Sequence, residues 1–213
     1  MLIIRIYFVR EGDELVFHEV EDPNEKYDMT RDEHGQRKAE WYLCPKERQQ
    51  ICIVNPYLYE IKPGHRELMT SLTFPLVVGS RFIGIVGMDI NLAVLQVAAE
   101  AIVKRLFHGK GDVMLVSHGG LIAAASRFPD RLGRRLRDVA PDLAATLGMS
   151  GTSASGELWL HHLPIEIAGT TWTLSVMVPR AEILAAAHAL DGSLRRIQRA
   201  GMQNALCCGR GLR

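Results

Sequence analysis

Apolar and polar positions alternate from the start of the chain. Residues 2–8, rich in Ile, Tyr and Phe, predict a strand, and after a turn at Glu11-Gly12-Asp13 residues 14–20 predict its return. Residues 21–40 are polar and broken by Pro23, Asn24 and Gly35, which predicts an irregular connection. Trp41-Tyr42, then Asn55-Pro56-Tyr57-Leu58-Tyr59, then residues 82–90 read as successive segments of one antiparallel sheet, with a short strand at 51–54 and a longer one at 68–78. Gly79-Ser80 lies between 68–78 and 81–90, the spacing of a two-residue hairpin turn. Residues 91–108 switch to helical spacing through Leu92, Leu95, Ala98, Ala101, Ile102 and Leu106, and Gly109 ends the run.

The pattern then repeats. Residues 113–117 and 121–126 predict strands about a turn at His118-Gly119-Gly120. Residues 131–147 carry helical spacing broken by Pro141, 156–163 and 171–178 predict two more strands joined near Gly169-Thr170, and 181–199 predict a closing helix. Two consecutive units of antiparallel sheet plus helix imply an α+β fold. The expected division is 1–109, 110–199 and a tail at 200–213, with the boundary near Gly109-Lys110-Gly111.

Composition narrows the function classes. The 213 residues are 47% apolar with a formal charge of +1, an ordinary globular balance that gives no reason to expect a nucleic-acid partner. Arginines crowd 127–137 and 195–213, read as solvated faces. No stretch approaches the ~18 apolar residues of a membrane span, and the N-terminus has no signal-peptide pattern. Cys44 and Cys52 flank a polar turn at 45–50. Bridged, they would stabilise by roughly 2.5 kcal/mol, and such a bridge persists outside the cytoplasm; separate thiols or a zinc pair are the alternatives. Cys207-Cys208 read as incidental.

Several segments resemble, in order and spacing, the double Cache sensor domain of bacterial methyl-accepting chemotaxis receptors. They are Trp41-Tyr42, Pro56-Tyr57, the strand Thr70-Ser71-Leu72-Thr73-Phe74-Pro75-Leu76, the Gly84-x-x-Gly87-x-Asp89 strand end, and the hairpin at 115–122. The resemblance covers roughly residues 27–194. It implies two PAS-like modules with flanking helices: a membrane-distal one that binds the ligand and a membrane-proximal one. It also implies a signal-transduction role at the periplasmic face of the inner membrane, and no catalysis or cofactor. The family's long N-terminal helix and transmembrane helices have no counterpart here, so the expectation is a sensor region truncated at both ends, its sheet faces partly exposed and prone to dimerise.

The resemblance makes Trp41, Tyr42, Tyr57, Tyr59 and Asp89 the expected ligand pocket. An aromatic ring contributes ~0.5–2 kcal/mol toward a well-placed cation, and Asp89 would accept hydrogen bonds from its ammonium. The residue-level alternatives are core packing for the aromatics and a helix cap for Asp89. The amino-acid-sensing members resemble Arg-x-Trp-Tyr, the Arg gripping a carboxylate; here that position is Ala39, and a second acidic pocket position is Tyr59. This favours an amine, such as a polyamine, histamine or a choline-like cation, while Arg31 and Arg37 keep an acidic ligand open.

Rival readings rest on less. His161-His162 point to opposite faces of a strand and cannot chelate together. Ser117-His118 lacks a Gly-x-Ser-x-Gly elbow, and Gly119-Gly120 precedes a strand where a phosphate loop would precede a helix. A small hydrolase using Asp89, His118 or His161 is the reading from another class. An interaction domain without a ligand is the third, and a diguanylate cyclase or histidine kinase is the alternative parent of the same sensor.

Overall fold

Gly79, with φ of 62°, and Ser80 turn the chain between its two longest strands, and the rest of the first unit assembles on them. The computed structural model describes residues 6–198 apart from 12, 20, 21, 63, 108, 149, 150, 156, 186–190 and 192. The expected strand residues 2–5, much of the closing helix, and Cys207-Cys208 lie outside the described residues.

The first unit comprises Met1–Asn91 with Glu166–Thr170. Strands β1 (Ile6–Glu11) and β2 (Glu14–Glu19) pair as an antiparallel hairpin. Helix α1 (Glu40–Arg48) follows the polar connection. Strands β3 (Cys52–Ile53), β4 (Tyr57–Lys62), β5 (His65–Val78) and β6 (Arg81–Asn91) form the main sheet, with β3 and β4 end to end along one edge of β5 and β6 along the other. Trp41-Tyr42 therefore lie on a helix, not on the sheet. Their β propensity argued for a strand and Pro45 for a turn, but Leu43, Cys44 and Pro45 are buried, and tertiary burial overrides local preference. Gln49, in the left-handed region, closes α1 by donating its N–H to the Pro45 carbonyl.

Period-two alternation gives the main sheet two different faces. Tyr57, Tyr59, Ser71, Thr73 and Asp89 share one by register. Leu58, Phe74, Leu76, Val86 and Met88 lie on the other, and Leu58, Val86 and Met88 are each more than half exposed.

The second unit comprises Leu92–Ile165 with Thr171–Arg213. Its first element, helix α2 (Leu92–Phe107), packs on its sheet, so the change between compact units falls before this helix, at Asn91/Leu92. Strands β7 (Asp112–Val116), β8 (Ile122–Ala125), β9 (Gly151–Ser155), β10 (Leu158–Ile167) and β11 (Thr170–Pro179) form a five-stranded sheet in the order β8-β7-β11-β10-β9. The expected helix at 131–147 is two short ones, α3 (Leu136–Val139) and α4 (Pro141–Ala144), because Pro141 stands at the first position of a new helix. Val113, Ala124, Leu174 and Val176 face α2; Met114, Val116, Ile122, Leu160 and Met177 pack with Leu136, Leu143 and Leu147 on the opposite side.

His162 is buried in this second core. Its Nε2 and Nδ1 lie 2.9 Å from Thr146 Oγ1 and Ser175 Oγ. Thr146 donates its own proton to the Leu143 carbonyl, so Nε2 carries the ring proton and Nδ1 accepts from Ser175. Burial, and then the neighbouring His161, hold His162 below the ordinary imidazole value. The unfolded chain therefore binds a proton below pH ~6.5 that the native state refuses. Stability from this site is complete above that pH and declines as pH falls. Urea unfolding between pH 7.5 and 5 should show this decline; His162→Gln should remove it while lowering stability at pH 7.5 by about 1–2 kcal/mol.

Candidate functional site

Register across three strands builds the polar part of the site. Tyr57 on β4 stands opposite Met69 of β5, one same-face step from Ser71, and Ser71 stands directly opposite Asp89 of β6. The Tyr57 hydroxyl lies 2.6 Å from Ser71 Oγ, and Ser71 Oγ lies 2.5 Å from Asp89 Oδ1. An ionised carboxylate only accepts, so Ser71 donates to Asp89, and its single proton is then committed. The Tyr57 hydroxyl proton is then left for Ser71 Oγ or for Asp89 itself, which also hydrogen-bonds the phenol. Burial, and then the Asp89 charge, raise the Tyr57 phenol above its ordinary value, so it keeps that proton. Asp89 itself is exposed and lies within β6, two residues before the strand ends, so it is not the cap of α2.

Aromatic rings flank this chain of hydroxyls. Tyr59 meets Tyr57 edge-on with ring centroids 6.4 Å apart, as period-two spacing on an extended segment requires. Gly87, opposite Thr73, is the same-face neighbour of Asp89. A side chain there would start 3.0 Å from the Thr73 methyl, so the glycine keeps the floor beside the carboxylate low.

Tyr42 belongs to a second cluster. Its ring contacts Phe82 at 5.7 Å, Tyr27 at 5.8 Å and Trp41 at 6.0 Å. Lys26 and Lys46 lie over the Tyr27 and Tyr42 rings at 5.0–5.8 Å, so this cluster already holds cations of the protein's own. Phe82 and Asp89 are about 20 Å apart along β6 by strand rise. The structure thus links Tyr57 to Asp89 through Ser71, sets Tyr59 against Tyr57, and places Tyr42 with Trp41 and Phe82. Ser71, Tyr27 and Phe82 escaped the sequence reading; the turn register alone puts Thr70 opposite Asp89, and the irregularity between Leu76 and Val77 brings Ser71 there instead.

The basic residues near α1 are engaged. Arg37 makes four hydrogen bonds to two carboxylates: to Glu40 at 2.7 and 3.1 Å and to Glu47 at 2.7 and 3.0 Å. These contacts hold the guanidinium above even its usual range. Arg31 donates to the Gly35 carbonyl. Ala39 is 0% exposed, so an arginine grafted there has no room.

The histidines of the rival reading sit elsewhere: Asp89 is in the first unit, His118 and His161 in the second. Ser117 Oγ accepts from the Leu121 N–H. Among the described residues, no group of three or more His, Cys, Asp or Glu is placed to hold a metal.

The family comparisons agree with this architecture. Residues 3–97 match the family described as methyl-accepting chemotaxis protein-like, first PDC sensor domain. The match over the first unit is to a sensor module of the PDC, or Cache, type, and the chain is similar to sensor domains of methyl-accepting chemotaxis receptors. It is 32% identical over 187 residues to the methyl-accepting chemotaxis protein TlpQ of Pseudomonas aeruginosa, covering 84% of this chain but only 26% of that protein. The ligand-binding domain of the P. aeruginosa amino-acid chemoreceptor PctB, solved with L-Arg, is 26% identical with a TM-score of 0.55, over 77% of this chain and 65% of that one. The extracellular domain of mmHK1S-Z2, designated a histidine kinase, shares the fold with a TM-score of 0.62 at 20% identity, over 84% of this chain and 65% of that one.

Cys44 of α1 and Cys52 of β3 are bridged, with Cα atoms 6.2 Å apart. The bridge fastens the helix that carries Trp41 and Tyr42 to the sheet. Closing this short loop contributes about 2.5 kcal/mol in the chain-entropy account. Reduction should lower the thermal midpoint of the first unit by roughly 10–20 °C. Calorimetry with and without reductant checks this, and an unchanged midpoint would deny the bridge its role.

Proposed function

We infer that this chain is the ligand-recognition region of a bacterial chemoreceptor, extracytoplasmic in its parent protein, and that its ligand is a small amine bound at Asp89. The observation that carries the reading is the direction of the hydrogen bonds. Tyr57 and Ser71 have both committed their protons toward Asp89, so the open positions here, Asp89 Oδ2 above all, are acceptors. A ligand that fits must donate, and the Tyr57 ring on the same face, with Tyr59 against it, favours a cation. The Cys44–Cys52 bridge supports an oxidising compartment.

An α-amino acid is the second reading, favoured by the L-Arg held by PctB. It needs a partner for the ligand carboxylate. Arg37, the nearest arginine in sequence to Ala39, has four donors already engaged by Glu40 and Glu47, and Lys38 lies 3.8 Å from Asp28. This weighs for an amine that lacks the carboxylate.

Titration calorimetry with putrescine, histamine, choline and L-Arg separates the two. Asp89→Asn should weaken amine binding by roughly 2–5 kcal/mol, because it leaves the ligand's charge without its counter-ion. Binding of L-Arg with none of the amines would overturn the amine reading.

A further inference from the structure

Ser71 is 1% exposed in the middle of a mostly apolar strand, where a hydroxyl costs stability unless it is bonded. Both of its bonds point to the site. Its Oγ lies 2.6 Å from the Tyr57 hydroxyl and gives its own proton to Asp89 Oδ1 at 2.5 Å. Asp89 stands exposed, so its carboxylate would otherwise turn freely about its side-chain torsions. Ser71 fixes one oxygen and thereby aims the other.

The geometry points to Ser71 as a positioning residue that makes the site select an N–H-bearing ammonium over a fully alkylated one. This rests on the reading of Asp89 as the ligand's counter-ion. An ammonium N–H is sensitive to the direction of the acceptor lone pair. A quaternary ammonium has no N–H and responds to charge and to the aromatic faces of Tyr57 and Tyr59, neither of which depends on how the carboxylate is turned. Without the Ser71 hydroxyl, Asp89 is the acceptor left to the Tyr57 proton, which then occupies an oxygen that the ligand needs. The loss then falls on N–H donors and spares quaternary cations.

Two ligand pairs that differ by trimethylation of one nitrogen read this selectivity: ethanolamine with choline, and histamine with its side-chain trimethylated form. Affinities are measured by calorimetry on the full chain for wild type, Ser71→Ala, Ser71→Thr and Ser71→Val, with thermal melts of each. The Thr and Val variants match in shape and differ in the hydroxyl, so they decide the matter even if the alanine variant does not fold. Wild type should prefer the N–H member of a pair. Ala and Val should weaken that member about tenfold, the size of one hydrogen bond to a charged group, and leave the quaternary member within about threefold. Thr should keep the wild-type ratio. Equal weakening of both members, no weakening of either, or the same ratio in Thr and Val overturns the role of Ser71 and leaves the amine reading standing. Failure of wild type to bind any member of either pair overturns this inference, and overturns the amine reading with it where putrescine fails as well.

Discussion

The first unit depends on the register of β5. This strand lies between β6 on one side and β3 with β4 on the other. Its buried hydroxyls tie it to those neighbours: Thr70 to the Val54 carbonyl at 2.5 Å, Thr73 to the Cys52 carbonyl at 3.4 Å, and Ser71 to Asp89. A slip of one residue would turn Ser71 and Thr73 to the apolar side and bring Leu72 opposite Asp89. The hydroxyls therefore fix both how the strands align and where the carboxylate meets its partners.

The β5–β6 hairpin was legible because its turn chemistry and its alternation agree, and Gly79-Ser80 sits where a two-residue turn requires. Asp89 could be singled out from the Gly-x-x-Gly-x-Asp pattern, and the Tyr57–Tyr59 pairing from spacing alone. Helix α1 was not legible, since Trp41, Tyr42 and Pro45 each argue locally against a helix and only burial on the sheet decides. Ser71 has no motif; one serine in an apolar run becomes meaningful only when the register shows what lies opposite. The extra strand β9 was hidden by weak periodicity over a short span, whereas the break before α4 was legible from Pro141.

The two units use buried polarity differently. In the first, a chain of hydroxyls ends on an exposed carboxylate, so its direction is available to a ligand. In the second, His162 is enclosed between Ser175 and Thr146, and every proton in that network is matched internally. The first arrangement suits recognition and the second suits a scaffold that resists distortion.

Each unit also carries a glutamine that behaves as a strand one residue long. Gln96 of α2 donates to the Ala125 carbonyl and accepts from the Ala125 N–H, both at 2.9 Å. Gln36 does the same with Asn55, at 3.3 and 3.1 Å. Because β8 is an outer strand of its sheet, its backbone is a template on which a foreign strand could extend the sheet. The Gln96 amide occupies that template at Ala125. Sheet growth from this edge, the first step toward fibrous assembly, meets a side chain already seated in the incoming strand's place.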